Sequence, residues 1–229
     1  SNTAQQSFIY PSVGMSAILS KMLKLPAFVD FLKFRTSWAS VGSAISPNIS
    51  SAWRYEYIPS TGTYHTVTYK FPDNFYPERT NSLEAGVTAT LFKEALSVKF
   101  TLYQSNTKNQ TFLRQITLGG AYNREYIQAG NVRNRGLELT VGYNKKWTDC
   151  RWSVNISYSM NHNRIVRLLD NPNETLRQGG LNGCEVILTQ GGTMGDLYTF
   201  TGFKRNQQGD IQVNADGQVM QIELPTPRL

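Results

Sequence analysis

Five segments of this chain alternate apolar and polar residues with a period of two, and the links between them are alternately short and long. In the clearest segment, residues 152–160, every even-numbered residue is apolar or aromatic and every odd-numbered one is Ser or Asn. A period of two is typical of a β-strand with one apolar and one polar face. The other four segments are residues 32–38, 83–91, 96–103 and 137–143, and a weaker one covers residues 13–19.

This alternation fits two environments. A soluble antiparallel sheet with one buried face produces it, and so does the wall of a transmembrane β-barrel, which has one face toward lipid and one toward a polar lumen. The link lengths favour the barrel, because repeated long loops are uncommon in compact soluble domains, whereas outer-membrane barrels alternate short turns with long loops. We therefore predict an all-β fold, an antiparallel up-and-down meander that forms part of a large transmembrane β-barrel.

The links set the predicted boundaries. Strand pairs are expected at about residues 8–41, 81–104 and 132–162, and final hairpins at residues 196–229. Between the pairs we expect long loops of the extracellular type, at about residues 42–80, 105–131 and 163–195. The first loop holds two short alternating stretches, residues 53–57 and 65–69, which suit strands of their own. Helical character is expected only as a single turn near residues 25–31.

Composition and charge bear on two classes of function, nucleic-acid binding and membrane spanning by a helix. Charged residues make up 17% of the chain, below the roughly 25% of an ordinary soluble protein, and the net charge is +7. The basic residues are spread along the chain, and the densest stretch, residues 124–135, comes without any nucleic-acid-binding motif. We predict no nucleic-acid partner. The chain also lacks the run of about 18 apolar residues that a membrane helix needs.

The sequence offers no catalytic, cofactor or metal site. His65 and His162 are the only histidines, and neither has Cys, Asp or Glu at ligand spacing. Cys150 and Cys184 are too few for a disulfide framework, and whether they pair is left open. We therefore predict that the chain is not an enzyme. Aromatic faces suit sugar rings and peptides, which makes the loop aromatics candidates for ligand contact: Trp53, Tyr55, Tyr57, Tyr64, Tyr69 and Tyr122.

An ordered series of stretches carries a family resemblance. The series comprises YPSVG at residues 10–14, FLKFRTSW at 31–38, PERTNSLEAG at 77–86, YQSNTKNQ at 103–110, NVRNRGLEL at 131–139 and NHNRIV at 161–166. In these stretches the chain resembles the SusC/RagA family of TonB-linked outer-membrane nutrient transporters, from about residue 10 to residue 221. The resemblance implies a Gram-negative outer membrane of the Bacteroidetes type and a large barrel of about 22 strands with a separate plug.

The resemblance also implies a function and partners. Family members import oligosaccharides or peptides, draw on the TonB system and work with a SusD-like lipoprotein lid. No plug or TonB box is seen in the sequence, so we expect a barrel-wall fragment that does not transport alone. Its open strand edges are expected to self-associate, and its apolar face to contact outer-membrane lipid.

Two other functions stay open at this point. One is a soluble β-sandwich module that binds glycan at the cell surface, and the other is a hydrolase with a β-sandwich fold. The hydrolase is disfavoured because no paired acids come together in the sequence. The facing of residues 152–160 separates the first two: in a barrel their even-numbered side chains face lipid, and in a sandwich they face a second sheet.

Overall fold

The structure, a computed structural model, describes residues 9–43, 53–73, 76–115, 123–181 and 183–229, and most of these are in β-strands. Within them lie twelve strands and one single-turn helix, α1 (Leu19–Met22). The strands are β1 (Ser12–Ile18), β2 (Val29–Ser43), β3 (Trp53–Ile58), β4 (Thr63–Lys70), β5 (Glu78–Leu91), β6 (Leu96–Gln115), β7 (Arg124–Lys146), β8 (Arg151–Arg167), β9 (Leu176–Leu181), β10 (Cys184–Leu188), β11 (Leu197–Phe203) and β12 (Gln221–Arg228).

The large sheet is the predicted meander. Strands β1, β2, β5, β6, β7 and β8 pair antiparallel with their neighbours in that order, and the β3–β4 hairpin is joined to the start of β7. A four-stranded sheet, β12-β11-β10-β9, forms from the end of the chain. The strand pairs of the meander connect through short turns at one end, such as the turn after Leu91, and through longer segments at the other. We call these the short-turn end and the long-loop end.

The strand register brings the predicted apolar residues into one continuous surface, which we call the belt. Residues paired across β5, β6, β7 and β8 lie side by side on the same face of the sheet. Four such rows form the belt: Leu91-Leu96-Tyr143-Val154, Ala89-Val98-Val141-Ile156, Val87-Phe100-Leu139-Tyr158 and Ala85-Leu102-Leu137-Met160. Rows on one face are about 7 Å apart, so the belt is about 20 Å tall, close to the apolar band of a membrane barrel.

The belt is exposed rather than covered. Ile156 is 64% exposed, Tyr158 55% and Leu102 47%, and no second sheet packs on them among the described residues. The opposite face is polar, with rows such as Thr88-Lys99-Thr140-Ser157 and Gly86-Thr101-Glu138-Ser159. The predicted facing of residues 152–160 is confirmed in its barrel form, because their even-numbered side chains share the belt and meet no sheet.

Two predicted loops are shorter than expected. The link predicted at residues 105–131 is mostly strand, because β6 continues to Gln115 and β7 begins at Arg124. These strands have 20 and 23 residues, whereas about 9–11 suffice to cross a membrane, so the ladder runs on beyond the belt. Polar residues pair there as readily as apolar ones. The apolar alternation that guided the prediction therefore stops before the strands themselves end. Similarly, residues 163–195 contain the end of β8 together with β9 and β10.

The predicted helical turn near residues 25–31 is wrong. The single turn lies earlier, at Leu19–Met22, and Val29 already belongs to β2. Pro26 explains the difference, since proline has no N–H and drives the residue before it away from helical dihedrals. The segment instead places Phe28 against Phe92, with ring centroids 5.6 Å apart, at the short-turn end. No helix in the described part of the chain is long and apolar enough to cross a membrane.

The buried core lies at the long-loop end. It combines the far ends of β6, β7 and β8 with β9, β10 and the segments beside them, and its fully covered members are Phe112, Val132, Ile165, Leu168, Leu176 and Leu188. By alternation Val132 and Ile165 lie on the polar face, opposite the belt. The link after β8 therefore packs on the far ends of β6, β7 and β8.

Candidate functional site

The β3–β4 hairpin presents an exposed aromatic face at the long-loop end. Trp53, Tyr55 and Tyr57 alternate along β3 and point to one side, and Tyr57 pairs directly with Tyr64. Their exposed fractions lie between 54% and 70%. Trp53 contacts Tyr55 edge-on at 5.4 Å, and Tyr57 and Tyr64 are 5.2 Å apart. We call these four residues the aromatic face; it offers flat apolar surface with hydroxyl groups at its edge.

The other side of the hairpin anchors it to the sheet. Val67 and Tyr69 are buried, with 2% and 3% of their surface exposed. Glu56 receives two hydrogen bonds from the guanidinium of Arg124, at 2.7 and 2.8 Å, and a third from the Tyr69 hydroxyl at 3.2 Å. A two-pronged Arg–carboxylate contact fixes orientation as well as distance. The aromatic face is therefore held by a rigid support.

Tyr69 belongs to that support. Its ring stacks on Tyr126 at 5.4 Å, with the Arg54 guanidinium 5.6 Å from its centroid. Burial, and next the hydrogen bond to the Glu56 carboxylate, raise the pKa of the Tyr69 hydroxyl above its usual range. Tyr69 thus stays neutral and serves as a donor to Glu56.

A chain of four charges links the segments of the long-loop end. Lys70 of β4 binds Glu125 of β7 at 2.9 Å, Arg114 of β6 binds the same carboxylate at 2.5 Å, and Arg114 also binds Glu174 at 2.8 Å. Burial alone would raise the pKa of Glu125, but the hydrogen bonds and charges of Arg114 and Lys70 outweigh it and hold that pKa below its usual range. We call this set the charge chain.

The link after β8 is joined to the outer edge of β8 by backbone hydrogen bonds. Ile165 donates to Gly192 and accepts from Gly191, both at 2.8 Å. The Met194 amide donates to the Asn163 side chain, also at 2.8 Å. Together with the buried core, these bonds hold Gly191, Gly192 and Met194 against the end of β8.

The structure brings together four of the six predicted ligand-contact aromatics, which form the aromatic face. Tyr69 lies on the opposite, buried side, and Tyr122 lies outside the described residues. The sequence reasoning missed Glu56, Arg114, Arg124 and Glu125. Their sole signal was charge within otherwise polar stretches, and nothing in the sequence pairs residues so far apart.

The described residues hold no group of three or more His, Cys, Asp or Glu side chains that could bind a metal ion. Cys150 is exposed and Cys184 is half-buried, and both are free thiols. The exposed rings of the aromatic face suit contact with a ligand.

Comparison with known proteins identifies the family. The model of the TonB dependent receptor-like β-barrel family matches residues 1–218. The chain belongs to the TonB-dependent receptor β-barrel family. A curated relative, TonB-dependent receptor P3 of Formosa agariphila, is 25% identical over 132 residues, which are 56% of this chain and 13% of that protein. The likeness to SusC/RagA transporters predicted from the sequence is confirmed.

Solved structures agree on the fold. The RagAB peptide importer in its closed-closed state matches with a TM-score of 0.68 at 16% identity, covering 95% of this chain and 25% of that one. In its open-open state it matches with a TM-score of 0.64 at 14% identity, over 97% and 26%. The chain thus spans about a quarter of those structures. Family membership makes it an outer-membrane β-barrel protein of Gram-negative bacteria, with the belt as its lipid-facing surface.

Proposed function

We propose that this chain forms part of the wall and extracellular mouth of a nutrient importer that takes up oligosaccharides or peptides with a SusD-like lipoprotein and the TonB system. The observation that carries the proposal is the aromatic face, which is exposed, prealigned and attached to a membrane barrel wall. RagAB is a peptide importer, which supports the same class of cargo here.

The orientation follows from the lengths of the links between strands. Outer-membrane barrels have short periplasmic turns and long extracellular loops. The long-loop end, with the aromatic face and the charge chain, is therefore extracellular, where cargo and lipoprotein arrive. Trp147 and Trp152, exposed at the short-turn end, mark the periplasmic side of the belt.

The sheet does not enclose a pore by itself. β1 and β8 form its two sides, and within the described ranges no named strand pairs with their outer edges. An open sheet has no lumen, so this stretch of chain supplies wall and mouth while import depends on strands that close the barrel. The edge of β1, and the edge of β8 before Ile165, pair with those strands or, in isolation, with a second copy.

The experiment that tests the proposal is uptake by cells. Cells whose importer gene carries Tyr57→Ala and Tyr64→Ala are grown on a panel of oligosaccharides and peptides as sole nutrient. We expect uptake of one cargo class to fall about tenfold, because each of the two stacking contacts contributes about 0.7 kcal/mol and about 1.4 kcal/mol is a factor of ten.

Trp147→Ala is the matched control, since Trp147 is 52% exposed but lies at the short-turn end. It should leave uptake unchanged. If the double variant imports every nutrient of the panel as the wild type does, the aromatic face has no part in cargo contact. The class that is lost, sugar or peptide, identifies the substrate.

A further inference from the structure

One edge of β7 pairs with β6 over most of its length. The other edge is shared by two strands, because β4 pairs with it at Arg124 and Glu125 and β8 pairs with it from Asn131 onward. Between them, along residues 126–130, no strand in the described part of the chain pairs with this edge. We call this stretch the β7 gap.

Left-handed backbone conformations create the β7 gap. Gly130 has a φ of +89° and Asn109, which faces it on β6, has a φ of +58°, whereas a regular ladder requires negative φ. The pairing of β7 with β8 shifts register at the same level, between Asn131 and Val132, and β8 ends at Arg167. The end of β8 passes so close that a Cβ on Gly130 would lie 3.3 Å from the Arg167 carbonyl oxygen. The β7 gap is therefore built into the backbone of three strands.

A cavity of about 740 Å³ opens along the β7 gap. Its two sides are the link after β4, residues 70–73, and the end of β8 with the link beyond it, residues 166–170, while residues 125–128 of β7 lie between them. A strand edge without a neighbour presents backbone N–H and C=O groups to whatever lies beside it. From Glu125 to Asn131 this edge is about 20 Å long, at about 3.3 Å per residue, which is the length of an extended peptide of about five or six residues.

One polar atom in this cavity lacks a partner. The Oδ1 atom of Asn131, at the β8 end of the β7 gap, is buried and accepts no hydrogen bond from the described residues. A buried amide oxygen without a donor is costly and uncommon in native proteins. A ligand that brings an N–H group to this point supplies the missing donor.

The charges around the cavity leave one acid and one base over. Six charged residues line it: Lys70, Asp73, Lys108, Glu125, Arg167 and Asp170. Lys70 pairs with Glu125, and Arg167 pairs with Asp170. Asp73 and Lys108 are exposed and form no ion pair among the described residues. A ligand with one ammonium group and one carboxylate group complements both.

We propose that the β7 gap binds a short peptide in extended conformation, which pairs with the backbone of β7 as an added strand. The peptide N–H groups pair with the strand edge and with the Oδ1 of Asn131, its ammonium group lies near Asp73 and its carboxylate near Lys108. A neutral oligosaccharide has neither the alternating donors and acceptors of a strand nor charged ends. The inference rests on the proposed function, and of the two cargo classes named there it selects peptides.

The test is calorimetric titration of the full-length importer, purified from outer membranes in detergent. Four probes are compared: a pentapeptide of alternating alanine and serine with free ends, the same peptide with its central amides N-methylated, the same peptide with both ends capped, and maltopentaose. We expect the free pentapeptide to bind best. N-methylation should weaken binding at least tenfold, because it removes the donors of the added strand. Capping should weaken binding about tenfold, at about threefold per exposed ion pair.

Variants assign the binding to the β7 gap. Asp73→Asn with Lys108→Gln should weaken the free pentapeptide about tenfold and leave the capped one unchanged. Lys24→Gln with Asp216→Asn removes the same charges at two exposed positions outside the β7 gap and should affect neither peptide. Asn131→Leu should weaken both peptides without lowering the melting temperature, because the acceptor that it removes has no partner in the unliganded protein.

The proposal is overturned if the N-methylated peptide binds as tightly as the free one, if maltopentaose binds more tightly than the peptides, or if the variant at Asp73 and Lys108 weakens free and capped peptides equally. Uptake is not measured in this titration, so the two proposals fail separately. Loss of uptake in the aromatic-face variant without peptide binding at the β7 gap would uphold the proposed function and refute this inference. Peptide binding at the β7 gap with unchanged uptake would uphold this inference and refute the role of the aromatic face.

Discussion

The belt and the long-loop end are built on the same strands but are stabilised by different means. In the belt the large apolar side chains are exposed, as in Ile156 at 64%, and the backbone ladder joins the strands without a buried core. At the long-loop end Ile165, nine residues further along β8, is completely buried among side chains from several strands. The first region relies on lipid as its apolar partner, and the second carries its own core. Two parts of one strand can therefore be stabilised differently, one by lipid and the other by a protein core.

The largest effect is expected from the core of the long-loop end. Ile165→Ala should cost about 3 kcal/mol, because removing a buried aliphatic side chain loses its burial and leaves a cavity. The loss should be local: hydrogen exchange should speed up in residues 168–196 and stay unchanged in the belt. Val213→Ala, at a 56% exposed position, is the control and should have little effect. Faster exchange along the whole of β8 would contradict two separately stabilised regions.

A charge in the belt should have the next largest effect. Ile156→Arg should lower the free energy of unfolding in lipid vesicles by about 2 kcal/mol, since an arginine on the lipid face must leave water. The adjacent Ser157→Arg places the same charge on the polar face and should be tolerated. Urea titration measures both. Equal losses in the two variants would mean that the faces do not differ in environment.

The accuracy of sequence-based prediction follows the same division. The belt could be predicted because lipid on one side and water on the other impose a strict alternation on every strand, and residues 152–160 show it without exception. The far ends of β6 and β7 could not, since both faces there meet water or protein and Asn, Thr and Arg pair as well as Val does.

In the candidate site, too, some residues could be predicted from the sequence and others could not. Aromatic residues in a polar loop stand out in a sequence, and four of the six chosen fall on one face of the β3–β4 hairpin. Which of them would be buried depends on Glu56 meeting Arg124, 68 residues away along the chain. Contacts of that length leave no local pattern, so neither the charge chain nor the support of the aromatic face could be predicted.

A glycine in the wall offers a smaller test. A Cβ on Gly136 would lie 2.1 Å from the Met160 carbonyl oxygen and 2.6 Å from the Tyr103 hydroxyl oxygen. Gly136→Ala should therefore force β7 and β8 apart at this row and cost about 1.5 kcal/mol. Gly195→Ala, where nothing lies within 4 Å, is the matched control. Thermal unfolding in detergent compares them, and unchanged stability in Gly136→Ala would show that the Tyr103 ring does not occupy this space.

The smallest expected effect is the response of the charge chain to low pH. The pKa of Glu125 lies below its ordinary value in the fold, so its contribution is complete above the unfolded pKa and is lost as the pH falls through the folded pKa. Acidification below about pH 4 should loosen the charge chain. Glu125→Gln should cost about 1 kcal/mol at neutral pH and remove this acid dependence. Fluorescence of a probe on the β3–β4 hairpin follows the change, and an identical acid response in the variant would exclude Glu125 as its source.

The central claim is that one face of the meander meets lipid and the other meets the lumen. The direct measurement is to place a single cysteine at each position from 152 to 160, in a protein whose Cys150 and Cys184 are changed to Ser, and to record spin-label exposure in native outer membranes. The account predicts a period of two: labels at even positions respond to oxygen dissolved in lipid, and labels at odd positions to a water-soluble relaxing agent. Even positions shielded from both reagents would contradict it, because they would then face protein.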